Sequence, residues 1–128
     1  MSKKVLLINN VNARPIIPEL LTRAGYSVDV VYDSATGLRE LDNQAHDVAI
    51  VQESPAAEIR QLCAKIRNRT GIPLIVISPS ASTETCVKAI KAGADYFMRK
   101  PFGPLEFLAR ISSLLQRTPT RQPVTAGL

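Results

Sequence analysis

The sequence is poor in the residues from which metal, redox and disulfide sites are built. It has one histidine, His46, and two cysteines, Cys63 and Cys86, with no Cys-x-x-Cys pair. Zinc-type sites need several histidine or cysteine ligands, and His46 has none near it in the chain. Two unpaired cysteines are typical of cytoplasmic proteins, where thiols stay reduced. We therefore expect no metal ion, two free thiols and a cytoplasmic location.

Other missing features exclude further classes of function. Neither a glycine-rich phosphate loop nor a nucleophile elbow occurs, so we expect no enzyme activity and no cofactor. No apolar run approaches the roughly 20 residues that span a bilayer, and the run at Val5–Ile8 is too short for a signal peptide. The net charge of +5 is modest and comes without a basic helix or interleaved aromatic residues. Direct binding of nucleic acid by this chain is therefore not expected.

What the sequence does contain is five alternations of a short aliphatic run with an amphipathic stretch. Such an order requires parallel strands joined by right-handed crossovers, hence a doubly wound α/β sheet whose function lies at the carboxyl ends of the strands. The predicted strands are Val5–Ile8, Tyr26–Val31, Val48–Val51, Leu74–Ile77 and Tyr96–Met98. The predicted helices are Pro15–Ala24, a helix from Asp33 or Ser34, Pro55–Arg69, Thr83–Ala92 and Pro104–Gln116.

Apolar spacing also predicts which helical residues face the core. In the fourth helix these are Val87 and Ile90, and in the fifth they include Leu105, Leu108 and Ile111. The first helix is expected to begin late or irregularly because Pro18 lies near its start. Residues 118–128 show no periodicity, which predicts one domain over 1–117 followed by a tail or linker.

Four segments resemble the response-regulator receiver family of two-component signalling. Lys3–Asn10 resembles the opening strand, which usually ends in two acidic residues, and Asp47–Gln52 resembles the third strand, which normally ends in the phosphorylated aspartate. Ile72–Ser78 resembles the fourth strand, and Lys91–Phe102 contains the Lys-Pro signature of the family. The resemblance implies a CheY-like (flavodoxin-like) sheet with strand order 2-1-3-4-5. The stretch from Pro104 is similar to receivers of OmpR-type transcription factors.

The sequence departs from the family where its chemistry lies. Asn9, Asn10 and Gln52 stand where the resemblance implies three carboxylates, while the basic Lys100 is kept. Neutral amides beside a lysine should repel Mg²⁺, which prefers carboxylate oxygens, and an amide cannot form an acyl phosphate. Glu53 is a poor substitute acceptor because adjacent strand residues point to opposite faces. Ser78 and Lys100 then have either a structural role or a role in binding a small anion or polar ligand.

The resemblance also implies a switch and a contact surface. Phe97 matches the family's switch aromatic, and its OmpR-type members form homodimers through the fourth helix, fifth strand and fifth helix. Our hypothesis is a non-enzymatic pseudo-receiver that acts through protein contacts without phosphorylation and controls an attached or partner output, with transcription as the expected process. The alternative is a sensor that binds a small ligand or anion in the altered pocket. The candidates for the dimer face are Lys88, Lys91, Asp95, Glu106 and Arg110.

Overall fold

The computed structural model describes residues 2–10, 16–52, 56–78 and 82–117, without the side chains of residues 56, 57 and 117. Strands and helices alternate along the chain, as the sequence predicts. The strands are β1 (Lys4–Asn9), β2 (Ser27–Val31), β3 (Val48–Gln52), β4 (Leu74–Ser78) and β5 (Tyr96–Arg99). The helices are α1 (Ile17–Arg23), α2 (Ser34–Asn43), α3 (Ala56–Arg69), α4 (Thr83–Lys91) and α5 (Pro104–Arg117). The predicted helix starts at Pro15 and Pro55, the residue Glu53 and the tail 118–128 lie outside the described residues.

The strands form one parallel sheet in the order β2-β1-β3-β4-β5, which confirms the predicted fold. Every residue of β3 and β4 is buried, which explains why these strands have unbroken aliphatic sequences instead of alternating ones. β1 lies between β2 and β3, with Asn9 of β1 opposite Gln52 of β3 at the end of the ladder. The carboxyl ends of β1 and β3 therefore meet at one edge.

Each face of the sheet carries its own core. On one face, Leu6, Ile8 and Val51 pack with residues of α2, α3 and α4. On the other face, Val5, Leu7 and Ile50 pack with residues of α1 and α5. Successive residues of each strand thus alternate between the two cores. The parity of a residue, meaning its odd or even position along the strand, therefore gives the face on which its side chain lies.

Local signals set the helix ends much as expected. α1 begins at Ile17 with Pro18 in its first turn, which confirms the predicted late start. Asp33 caps α2 by accepting a hydrogen bond from the Thr36 backbone N–H at 2.7 Å. Gly93, with φ +122°, follows α4 in a conformation that residues with a Cβ rarely adopt.

One predicted core face is wrong, and a second is wrong at a single residue. Val87 and Ile90 of α4 are 42% and 43% exposed, whereas Thr85 and Ala89 are buried. Val87 lies about 200° around the helix from Thr85, so the two residues cannot both face the sheet. In α5, Leu108 and Ile111 pack in the core as predicted, but Leu105 is 81% exposed and Phe107 is fully buried. The small inward residues Thr85 and Ala89 leave the larger apolar side chains of α4 on the surface.

Candidate functional site

The predicted pocket residues lie at the carboxyl edge of the sheet. Asn9 and Gln52 end neighbouring strands, and the backbone N–H of Asn10 donates to the carbonyl oxygen of Gln52 at 3.2 Å. On the next strands, the backbone N–H of Lys100 donates to the carbonyl oxygen of Ser78 at 3.1 Å. These backbone contacts hold the ends of β1, β3, β4 and β5 side by side at the position where α/β sheets bind ligands.

Strand parity divides these residues between the two faces. Asn9 continues the alternation of Val5 and Leu7, and Gln52 that of Val48 and Ile50, so both amides lie on the face of α1 and α5. Lys100 directly follows β5 and lies outside the strand. Asn10 and Ser78 belong to the opposite face, and the Asn10 Nδ2 donates to Ser34 Oγ at 3.4 Å at the start of α2.

Three of the four side-chain amide atoms of Asn9 and Gln52 are buried without hydrogen bonds. Asn9 is 0% exposed and Gln52 4% exposed, and neither Asn9 Oδ1, Asn9 Nδ2 nor Gln52 Oε1 has a hydrogen-bond partner. A buried polar group left unpaired costs about 1–3 kcal/mol. Because nearly all buried polar groups in native proteins are paired, three such atoms at one point of the sheet require an explanation.

The edge does not fit a magnesium ion. Asn9, Asn10 and Gln52 bring oxygens without negative charge, and Lys100 adds a positive charge at the same edge of the sheet. Across the described ranges, no three His, Cys, Asp or Glu side chains gather into a possible metal site. Asp33, a carboxylate at this edge, accepts hydrogen bonds from the Thr36 N–H and from Thr36 Oγ1 at 2.9 Å. These bonds hold the Asp33 pKa below its usual value and commit the carboxylate to capping α2.

Comparison with known proteins agrees with this fold and this arrangement of strand ends. The model of the response regulator receiver domain family matches residues 5–112 of the chain. The chain belongs to the response-regulator receiver family.

The chain is similar in sequence or in fold to several response regulators. Response regulator ArlR of Staphylococcus aureus is 34% identical over 102 residues, which cover 79% of this chain and 47% of ArlR. The chain thus spans about half the length of this relative. A two-component response regulator from Clostridium difficile superposes with a TM-score of 0.85 at 21% identity, covering 93% of this chain and 100% of the other. A CheY-like receiver domain from Methanospirillum hungatei gives a TM-score of 0.80 at 27% identity, covering 91% and 96%.

Phe97, the predicted switch aromatic of this receiver domain, is half-buried against the core of α2, α3 and α4. The guanidinium carbon of Arg99, two residues on and on the same face of β5, lies 5.9 Å from the centroid of its ring. On the other face of β5, the Arg110 guanidinium of α5 lies 4.6 Å from the centroid of the Tyr96 ring. Both aromatic residues are thus held by cation–π contacts within the chain.

The five candidates for the dimer face differ in their surroundings. Lys91, Glu106 and Arg110 are exposed, and Lys88 pairs with Glu84 at 2.9 Å on α4. Asp95, by contrast, has a side chain only 14% exposed that pairs with Arg67 of α3. Arg67 also donates to the carbonyl oxygens of Gly93 and Ile72. Asp95 is therefore engaged within the chain, at the opposite end of the sheet from the pocket.

Sequence reasoning missed two buried polar residues. Arg67 showed no signal, because its partners lie 26 and 28 residues away in the chain. His46, expected in a polar turn, is only 7% exposed, and its Nε2 lies 2.9 Å from Asp29 Oδ2 on β2. The predicted free thiols are confirmed, and burial raises the pKa of Cys63 to about 11. Among the helices as described, none is long and apolar enough to cross a membrane.

Proposed function

We propose that this receiver domain signals without accepting a phosphoryl group. The observation that carries the proposal is Gln52 at the carboxyl end of β3, opposite Asn9 and buried to 96%. In the family resemblance, this is the position of the phosphorylated aspartate. A carboxamide is a poor nucleophile and cannot form an acyl phosphate, and the neutral amides around it do not hold the divalent cation that would neutralise phosphoryl oxygens.

Without phosphate, no ligand favours one conformation of the predicted switch residue Phe97 over the other. A two-state element then stays at its intrinsic equilibrium. The packing of Phe97 against the core and under Arg99 supports a single resting conformation of this residue. The domain is then a non-enzymatic cytoplasmic module whose output depends on which proteins it contacts.

The contacts we propose use the α4–β5–α5 face, defined by Val87, Ile90 and Lys91 on α4 and by Leu105, Glu106 and Arg110 on α5. Three of these residues are large, apolar and at least 42% exposed, and the others are charged and exposed. Apolar residues ringed by charges are typical of protein interfaces. We propose a homodimer through this face. Lys88 lies at its margin, and Asp95 contributes little because it is paired with Arg67.

The output of such a dimer would come from another domain or from a partner. The chain covers 47% of ArlR, so the matched relative has a further part of similar size. Given the resemblance to OmpR-type receivers, we propose that the output is regulation of transcription and that any DNA contact is made outside this domain.

Intact-mass spectrometry tests the loss of phosphotransfer. The protein is incubated with acetyl phosphate and Mg²⁺ beside two variants, Gln52→Asp and the triple variant Asn9→Asp, Asn10→Asp, Gln52→Asp. We expect no added phosphoryl mass on the protein or on the single variant, because Gln52→Asp restores the nucleophile and not the metal site. The triple variant restores both and should be modified. Stoichiometric phosphorylation of the unmodified protein would refute the proposal.

Light scattering over a concentration series tests the dimer. Leu105→Glu should shift the equilibrium to monomer because it buries a charge in the apolar centre of the face. Tyr32→Glu is the matched control, since Tyr32 is 63% exposed and lies outside that face. A protein that stays monomeric at high concentration, or equal effects of the two variants, would contradict this interface.

A second candidate function is a sensor that binds a small ligand or anion in the altered pocket. The observation that favours it is the set of buried polar atoms of Asn9 and Gln52 without partners. In this case the ligand takes the place of phosphorylation as the signal.

A further inference from the structure

The Asn9–Gln52 pair carries an inference about the class of ligand. We propose that the two amides bind a small neutral ligand with an amide-like edge, meaning an N–H and a C=O side by side as in a carboxamide or a pyrimidine base. This inference rests on the second candidate function above and names the ligand of that site.

Most of the unpaired buried atoms lie at one place in the fold. In the described part of the chain, four buried side-chain N or O atoms have no hydrogen-bond partner, and three of them belong to Asn9 and Gln52. The two residues are opposite each other on neighbouring strands and have the same parity, so their side chains leave the sheet on the same face. The unpaired atoms therefore lie on one face of the sheet at its carboxyl edge, where α/β folds bind ligands.

The hydrogen-bonding character of these atoms selects the ligand. Asn9 offers two N–H donors on Nδ2 beside an acceptor on Oδ1, and Gln52 offers the acceptor Oε1. A ligand amide satisfies Asn9 reciprocally, its C=O accepting from Nδ2 and its N–H donating to Oδ1, and a second N–H can reach Gln52 Oε1. Turning the Asn9 amide by 180° exchanges its O and N but still presents one donor group and one acceptor.

Charged ligands match this set less well. A carboxylate or phosphate has only acceptors, so it would leave Asn9 Oδ1 and Gln52 Oε1 unpaired and facing negative oxygens. A cation buried among these neutral amides would have no opposite charge beside it, and burying an unpaired charge is costly. A neutral amide needs only the hydrogen bonds that the pair provides.

The unpaired amides should also leave a mark on stability. Polar groups that are retained at a cost to folding are expected at functional sites, where they meet a ligand. Gln52→Met removes the amide while keeping the length of the side chain. If the amide serves a ligand, this variant should raise the Tm of the ligand-free protein by about 3–8 °C, because one unpaired polar group is relieved.

The experiment compares two carboxamides with the carboxylates of the same carbon skeleton and adds one pyrimidine base. Full-length ¹⁵N-labelled protein is titrated with nicotinamide and nicotinate, with acetamide and acetate, and with uracil, following the backbone amides of Asn9, Gln52 and their neighbours. We expect nicotinamide or uracil to shift these signals saturably, with the matched carboxylate at least about tenfold weaker. Gln52→Met should weaken the response by up to about tenfold, because one hydrogen bond to the ligand is lost, and should raise the Tm.

Other outcomes overturn the proposal. Tighter binding of the carboxylates would make the pocket an anion site. No saturable response to any amide probe, or a Gln52→Met variant with unchanged or lower Tm, would show that the pair serves the packing of the domain. The ligand titration and the phosphorylation assay test different proposals. Whether the triple variant is phosphorylated does not depend on which ligand the unmodified protein binds.

Discussion

The two ends of the sheet treat buried polar groups in opposite ways. At the amino end of β4 and β5, Arg67 and Asp95 have side chains only 18% and 14% exposed, and both are fully engaged. Arg67 donates to Asp95 and to the carbonyl oxygens of Gly93 and Ile72, and Asp95 also accepts from the Leu74 N–H at 2.8 Å. At the carboxyl end, the buried amides of Asn9 and Gln52 have unpaired atoms.

This difference separates polar burial that stabilises the fold from polar burial kept for another reason. The Arg67–Asp95 network joins the end of α3 to the starts of β4 and β5, and its groups are satisfied by the chain itself. The Asn9–Gln52 pair leaves both polar side-chain atoms of Asn9 and the Oε1 of Gln52 unpaired, and it lies at the edge where the family resemblance locates the chemistry. His46 combines both situations. Its Nε2 contacts Asp29, whereas its Nδ1 is buried without a hydrogen-bond partner.

The largest expected effect comes from breaking the amino-end network. Arg67→Met should lower the free energy of unfolding by roughly 3–5 kcal/mol, because it leaves the Asp95 carboxylate buried without its partner. Arg69→Met is the matched control on the same helix, where the Arg69–Asp42 pair is more exposed and should contribute about 0–1 kcal/mol. Urea denaturation measures both. Similar losses in the two variants would mean that the network is not the stabilising element we infer.

A smaller effect is expected from crowding the same network with one methyl group. Gly93 and Gly25 both have positive φ, +122° and +98°, so alanine is strained at either position by about 1–2 kcal/mol. A Cβ at Gly93 would also clash with Arg67 Cγ, whereas at Gly25 it meets nothing within 4 Å. Gly93→Ala should therefore lose about 1 kcal/mol more than Gly25→Ala in urea denaturation. Equal losses would show that Arg67 adjusts without cost.

The sequence was sufficient to predict the sheet and the composition of its carboxyl edge. Unbroken runs such as Val48–Val51 mark strands buried on both faces, and parallel strands necessarily bring Asn9, Gln52 and Lys100 to one edge. Pro18 and Asp33 act locally, so the starts of α1 and α2 could also be predicted. Each of these inferences depends on neighbours in the chain or on a general rule of topology.

What could not be predicted depends on contacts between distant segments. The inward face of α4 is set by how closely Thr85 and Ala89 approach the sheet, and periodicity alone favoured Val87 and Ile90. Arg67 looked like an ordinary basic residue in the last turn of a helix. The unpaired state of Asn9 and Gln52 depends on which side chains surround them in three dimensions, and an amide in a sequence does not reveal whether its hydrogen bonds are met.

The smallest expected effect concerns a carboxylate at the carboxyl edge, Asp33, and depends on pH. Its hydrogen bonds from Thr36 lower its pKa in the folded protein. The stability that they provide is therefore present above the unfolded pKa of about 3.9 and is lost as pH falls through the lower folded pKa. Asp33→Asn keeps an N-cap acceptor without the titration, so wild type should be the more stable protein near pH 6 and should lose this advantage toward pH 3. Urea midpoints at several pH values measure the difference. A difference independent of pH would mean that the charge of Asp33 does not strengthen the cap and would weaken the view that its carboxylate is committed to α2.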